Sequence, residues 1–541
     1  MLRGHLVDIE KHSIYDAALT IQDGHIVEIQ PLQDTLPVDA PYIMPGFVDS
    51  HIHIESTLLT PSRFAPLAVR QGTVAVVADP HEIANVLGVE GVDFMQQDSQ
   101  SVRFGFHFCV PSCVPSTPFE TAGATLDSQA VKALLQRDRV VGLAEMMNVP
   151  GVLFGDKEVL SKLQAAKELN KCIDGHAPLL SGEDLMKYVA AGISTDHECS
   201  NIQEAEEKLA AGMSVLIREG SAACNFEALA PLLRDHPDKL MFCTDDIYPN
   251  ELQQGHINLL VRRAVAQGLP LWNVLQAACL NPVRHYGLQT GLLRKGDSAD
   301  FILVDNLSHF ENLSTYIAGV EVYSKKVGVN PELFCMKNVL GNPNQFCAEP
   351  LQPSDLLLDV ADRKVRVITA VDGQLLTGCE VVTADQIGVE NDILKLVVYN
   401  RYQPAKPQVA FIKGFGLKCG AFATTIAHDC HNLIAVGCND EDLTTVLNRL
   451  ISLKGGIAAT DGADTIDLPL PVAGLMSNQE GTEVAAQLVK LNAKVRQLGC
   501  PMSAPFMTLS FMALPVIPAL KLTDKGLFDG NAFAFTNLVV D

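Results

Sequence analysis

Two histidines one residue apart end the first long apolar run of this chain, Pro45-Gly-Phe-Val-Asp-Ser-His51-Ile-His53-Ile-Glu55. Residues two apart in a strand project to the same side, so His51 and His53 present two imidazoles together, half of a metal site. Further candidates end later apolar runs: Glu145 after Gly-Leu-Ala, His176 after Ile-Asp-Gly, His197 after Ser-Thr-Asp, and Asp245 with Asp246 after Phe-Cys-Thr. Four imidazoles and two carboxylates can hold two divalent ions. Two cations repel each other, so a shared anionic ligand must lie between them, and Glu145 is the residue placed to bridge. The alternative, unrelated buried polar groups, needs a separate explanation at each strand end. Asp79-Pro-His81-Glu82 reads either as an acid–base group or as an Asx-capped turn, since Asp-Pro commonly starts turns. Arg218, Glu219 and Ser221 are candidates for hydrogen bonds to a substrate; a surface ion pair with a helix cap at Ser221 accounts for them equally well. His428 and His431 read as a loop between two strands rather than as ligands, and His256 as a histidine at a helix start.

These side chains need a scaffold that gathers strand ends. Eight short apolar runs fall at residues 46–49, 73–77, 104–109, 140–143, 172–174, 192–194, 214–217 and 240–243. They recur roughly every 20–35 residues, the size of one strand-helix unit. The expected fold is α/β: a (β/α)8 TIM-type barrel over residues 46–288, with the candidate ligands at its C-terminal face. An open doubly wound sheet would carry a Gly-rich phosphate turn after its first strand, where this chain has histidines. On either side lie strand-like segments: a hairpin around Asp23-Gly24, and Gly296 to Val304 with Gly319 to Tyr323. The two flanks, 1–45 and 289–345, are expected to join in one composite β-sandwich domain. Residues 346–541 read as a C-terminal α+β domain. It has strands at 365–368 and 394–398, helices at 441–453 and 477–498, and a proline-marked linker near Pro343 and Pro350.

The 541 residues carry 40 Lys+Arg against 63 Asp+Glu, a net charge of -23. That balance argues against a nucleic-acid polymer as partner, because no excess of cations exists to neutralise phosphates. A hydrophobic content of 48% excludes a disordered chain. Fourteen scattered cysteines suit reduced thiols in a cytoplasmic protein better than a disulfide scaffold. The most apolar stretch, residues 509–520, is too short for a bilayer, so no membrane contact is expected. A dimer is the commonest oligomer and is the expectation here.

The motifs together resemble the amidohydrolase superfamily, and more closely its adenine deaminase family. The resemblance rests on Met44-Pro-Gly-Phe-Val-Asp-Ser-His-Ile-His-Ile-Glu-Ser56, Asp79-Pro-His-Glu-Ile-Ala-Asn-Val-Leu-Gly88, Leu216-Ile-Arg-Glu-Gly-Ser221 and Cys243-Thr-Asp-Asp246. It continues through Gly414-Phe-Gly, Ala427-His-Asp-Cys-His-Asn432 and Gly455-Gly456, and so spans nearly the whole chain. It implies His51, His53 and Asp245 on one metal, His176 and His197 on the other, and Glu145 between them. Histidine and carboxylate ligands suit Mn, Fe or Zn alike; the resemblance favours manganese or iron. The implied reaction is attack of metal-activated water on C6 of adenine, giving hypoxanthine and ammonia. Asp245 would take the water's proton, His81 would shuttle a second or act as an electrophile, and Asp79 and Glu82 would orient His81, bind the ring or help hold an additional metal. Another hydrolase of the superfamily, acting on a cyclic amide or an N-acyl group, is the alternative. The other zinc deaminase design needs Pro-Cys-x-x-Cys, which this chain lacks.

Overall fold

The computed structural model describes residues 1–334 and 340–540, so part of the 289–345 range lies outside the described residues. Eight short strands run in chain order around a barrel: Phe47–Ile52, Thr73–Ala78, Gly105–Val110, Val140–Met146, Cys172–Gly175, Thr195–Asp196, Ser214–Arg218 and Leu240–Cys243, referred to as barrel strands 1 to 8. Strands 1 to 5 pair in parallel, as do strands 6 to 8. Two seams close the ring. Ser194 N donates to the Ile173 carbonyl at 2.9 Å, and Ile52 bridges Asp245 in parallel. The fold is a TIM-like α/β barrel. Barrel strand 2, Thr73-Val-Ala-Val-Val-Ala78, is buried along its whole length, because helices cover one side and barrel side chains fill the other. The helices between are capped by local acceptors: Asp127, Asp156 and Asn201 each accept a backbone N–H from the first turn that follows.

Barrel strand 6 is shorter and later than the run at 192–194 suggests. Gly192 takes a positive φ of 97° and spends that run on a turn. A buried lysine stabilises this corner. Lys208, fully buried, donates to the Ala177 carbonyl at 2.6 Å, to Asp196 at 2.9 Å and to Glu204 at 2.9 Å. It ties the ends of strands 5 and 6, and so the bases of His176 and His197. Lys208→Met is expected to destabilise the protein by about 3–5 kcal/mol, since it leaves the Asp196 charge buried and unpaired. A lowered urea midpoint at constant slope is the check.

Both flanks contribute to one eight-stranded sheet, joined where Tyr42–Pro45 pairs antiparallel with Phe301–Val304. Leu6, Leu19, Ile26, Ile43 and Phe301 pack in one small core drawn from both ends of the range. The Asp23-Gly24 hairpin forms, with φ of 50° and 82° at its two central residues, the primed turn that suits right-twisted strands. The C-terminal part builds a nine-stranded mixed sheet with helices Asp440–Leu453 and Gly481–Gln497. The second helix starts later than residue 477 because the Ser477 backbone pairs instead with the barrel: its N–H donates to the Leu58 carbonyl at 2.7 Å. Asn432 Nδ2 donates to the Thr121 carbonyl at 3.0 Å, and Lys525 Nζ to the Glu120 carbonyl at 2.8 Å. The C-terminal sheet is thereby seated against the barrel's active face. The described cysteines form no disulfide, and no described helix is long and apolar enough to cross a membrane.

Candidate active site

The seam between barrel strands 8 and 1 assembles the first ligands. His53 N donates to the Asp245 carbonyl at 3.1 Å, and Asp245 N to the His51 carbonyl at 2.9 Å. Asp245 adopts a φ of 58°, a left-handed conformation that Asp tolerates better than most residues. Its Oδ1 lies 3.0 Å from His53 Nε2 and 3.3 Å from His51 Nε2. His53 Nδ1 donates to the Asp79 carbonyl at 3.1 Å, which fixes the ring with Nε2 facing the cluster. Glu145, at the end of strand 4, spans the rest. Its Oε1 is 3.4 Å from His53 Nε2; its Oε2 is 2.8 Å from His176 Nδ1 and 3.1 Å from His197 Nε2. One carboxylate therefore faces both sets of imidazoles, one oxygen to each.

His81 opens the helix His81–Leu87 beside this group. Its Nδ1 is 2.8 Å from Asp79 Oδ2 and 3.5 Å from Glu145 Oε1, and its Nε2 is 3.5 Å from Glu82 Oε1. Asp79, His81 and Glu82 are all buried. Arg218 also reaches the cluster, but its Nη1 is taken by carboxylates: it donates to Asp245 Oδ2 at 2.7 Å and to Glu198. Glu219 and Ser221 join other networks. Glu219 pairs with Arg263, while Ser221 donates to Glu251 and accepts from Tyr248 N at 2.8 Å. His256 does start a helix, and its Nδ1 shares a hydrogen with Thr73 Oγ1 at 2.7 Å.

Four further residues enter the site. Glu198 follows His197 and lies 3.4 Å from its Nε2 and 3.7 Å from His176 Nδ1. Glu55 is buried with Oε2 lacking a partner, and burial lifts its carboxyl to about 7. His428 and His431, read from the sequence as a loop, sit in one but grip Glu82: His428 Nδ1 donates to Oε1 at 2.6 Å and His431 Nε2 contacts Oε2. In the sequence Glu55 stands two residues after His53 and Glu198 directly after His197, while nothing near His428 or His431 points to Glu82.

The donor set fits divalent cations. Ligand atoms about 2.0–2.2 Å from one ion stand at most about 4.4 Å apart, and the contacts of Asp245 and Glu145 with the four imidazoles, 2.8 to 3.4 Å, satisfy this. The donor atoms of His51, His53 and Asp245 lie within 4.8 Å of one another, as do those of His51, Glu145 and His197. His51 Nε2 is buried and makes no hydrogen bond. Charge tells the same way. Burial opposes ionisation of Glu145, yet His176 and His197 hold its carboxyl well below the usual range. Burial likewise works against Asp245, which Arg218, His51 and His53 hold down. Against its own desolvation, His176 is pushed up to about 9 by Glu198 and Glu145. Protons on imidazoles thus balance the buried carboxylates, and divalent ions can take the place of those protons.

Residues 42–331 match the profile of the amidohydrolase family, and residues 372–534 that of the adenine deaminase C-terminal domain. A Salinibacter ruber protein named adenine deaminase is 51% identical over 549 residues, covering 100% of this chain and 99% of its own length. The chain belongs to the adenine deaminase family. A second family member, an adenine deaminase of Methanosarcina mazei, is 48% identical over 99% of both chains. Among solved structures, a beta-aspartyl dipeptidase from Fervidobacterium islandicum is 18% identical, with a TM-score of 0.45 over 61% of this chain and 98% of its own. The family match covers the barrel and the C-terminal sheet alike, so the grip of His428 and His431 on Glu82 joins two matched regions.

Proposed function

We propose that this chain is an adenine deaminase, hydrolysing adenine with one water to hypoxanthine and ammonia. The observation that carries this reading is the full-length match to proteins of that name; the geometry supplies the chemistry. Two divalent cations would be held by His51, His53 and Asp245 on one side and His176 and His197 on the other, with Glu145 shared. Manganese or iron is favoured, with zinc also compatible with the ligands. When bound, such ions lower the pKa of water towards neutrality and offset the carboxylate charge.

The protein's own groups then do the following. Asp245 takes the proton of the attacking water on Oδ1, while Arg218 holds Oδ2 and so fixes the carboxylate's direction. Water oxygen bonds to C6 of the purine, which becomes tetrahedral. The proton taken by Asp245 and the one left on the C6 hydroxyl go to the purine ring nitrogen and to the departing amine; His81, braced by Asp79, moves one of them, and Glu82 stands on its other nitrogen. Ammonia leaves as the C6–N bond breaks and the carbonyl of hypoxanthine forms. A barrel of residues 46–288, flanked by a composite β-domain (1–45 and 289–345) and a C-terminal domain (346–541), is the organisation we assign. A cytoplasmic homodimer is the state in which we expect it, and light scattering checks the mass.

Ammonia release from adenine, compared with cytosine and guanine on protein of measured metal content, tests the assignment; ring opening of a dihydropyrimidine, which frees no ammonia, is followed by loss of its ultraviolet absorbance. Ring opening of the dihydropyrimidine without ammonia release from adenine would favour a cyclic amidase instead. His81→Ala is expected to keep its metal and lose about 10²-fold in kcat, the scale of a proton-transfer residue. Unchanged kcat would remove His81 from the reaction.

A further inference from the structure

Glu82 is buried at the barrel mouth, and neither of its carboxylate oxygens is left to choose its own direction. Oε1 accepts from His428 Nδ1 at 2.6 Å and Oε2 contacts His431 Nε2, from residues 346 and 349 positions later in the chain. Both imidazoles are themselves held. The His428 ring stacks on Phe511 with centroids 4.4 Å apart and planes at 14°, and its backbone N–H donates to the Ser510 carbonyl at 3.1 Å. His431 is fully buried and its N–H donates to the Ala427 carbonyl at 2.6 Å. Glutamate has three side-chain torsions, and a free carboxylate at a pocket mouth would spread over several rotamers. Two packed donors from a separate part of the chain select one. The selected position puts Glu82 Oε1 3.5 Å from His81 Nε2, on the opposite side of the ring from Asp79.

Other features of the molecule lead less far. A cavity of about 580 Å³ lies under the barrel, between Phe104, Arg139, Tyr286 and Ala318. Arg401 is buried with Nε and Nη1 unpartnered. Neither converges with a second set of groups on one ligand. The Glu82 grip does converge, on the side chain next to the proposed proton carrier.

We propose that His428 and His431 are positioning residues for the deamination: through them the C-terminal domain clamps Glu82 and sets its carboxylate against His81, so that this domain completes the active site. The inference rests on the reaction assigned above to His81 and Glu82. It also gives the C-terminal domain a catalytic purpose: a barrel without it would hold the metal ligands but leave Glu82 adrift. Placement errors of about an ångström at such a group are costly in rate.

A double-mutant cycle tests it. His428→Ala and His431→Ala are each expected to lower kcat by roughly 10²-fold, with KM within about threefold of the native value and metal content unchanged. His428→Asn and His431→Gln, which keep an amide N–H near the lost donor, are expected to recover at least about tenfold. The deciding arm adds His428→Ala to Glu82→Gln. If His428 acts through Glu82, the double variant is no slower than Glu82→Gln alone. Multiplying losses, an unaltered kcat, or loss of metal in step with rate would each overturn the clamp. Should an alanine variant not fold, the same cycle is run with His428→Gln, which keeps the bulk and moves the donor off Nδ1. The native rate on adenine judges the deaminase reading separately. If the native chain hydrolyses a cyclic amide and not adenine, the cycle is run on that substrate, where additivity still defeats the clamp and non-additivity still supports it. A native chain that turns over neither overturns both.

Discussion

Glu145→Gln is expected to strip the protein of one or both divalent ions and to lower adenine turnover by at least about 10³-fold. The substitution preserves shape and removes one negative charge from the point where two cations would meet. In the present geometry one oxygen faces His53 and the other faces His176 and His197. An amide must turn its NH2 towards one of those sets, placing a donor where a ligand oxygen is needed. Coulomb repulsion between the ions then goes uncompensated in a buried site, where it is screened least. The metal-free protein makes the same point from the other side. His176 is pushed up to about 9 against desolvation by Glu198 and Glu145, so it carries a proton at neutral pH. Metal binding must release that proton, and affinity must fall as pH falls. Loading the native protein at pH 7 in weak buffer is therefore expected to acidify the solution. Elemental analysis after gel filtration, with kcat on the same sample, checks the variant. Two ions per chain and a native rate would sink the bridging role.

What the sequence made legible follows from how local each signal is. The period of two in a strand is enough to pair His51 with His53. The end of an apolar run marks the barrel's active face, which is why Glu145, His176, His197 and Asp245 could be gathered without coordinates. The same logic misplaces Glu198. Next to His197 in a strand it should point away, but strand 6 is only Thr195–Asp196, the pleat has ended, and both side chains reach the cluster. Arg218 was legible as a strand-end residue but not as a partner of Asp245. That depends on the parallel register setting Arg218 opposite Cys243, two residues before Asp245. His428 and His431 do lie in the loop that the sequence predicts. Nothing within a few residues says that this loop faces Glu82, because the contact is created where the C-terminal part packs on the helix at the barrel mouth. The C-terminal fold was legible as strands and helices, while its catalytic consequence was not.

Asp245→Asn is expected to cost about 10³-fold in kcat, and the way it fails should separate two roles that one carboxylate combines. Oδ1 faces His51 and His53 as a ligand would, and it is also the oxygen assigned to the water's proton. Oδ2 accepts from Arg218 Nη1 at 2.7 Å. Asparagine has one oxygen for these two demands. With its oxygen on Arg218, the amide NH2 meets the imidazoles; with its oxygen on the imidazoles, the NH2 meets a guanidinium that only donates. Either orientation weakens occupancy on the His51–His53 side while leaving His176, His197 and Glu145 intact. Excess metal can restore that occupancy by mass action. It cannot restore a base, since an amide does not take up a proton near neutral pH. The expected result is metal content that returns to two per chain at high metal while kcat stays at least about 10²-fold low. If rate returns together with metal, Asp245 is a ligand only, and the proton must leave the water by another route. The two carboxylates thus fail differently: Glu145→Gln through the loss of charge between the ions, Asp245→Asn through the loss of a basic oxygen beside one of them.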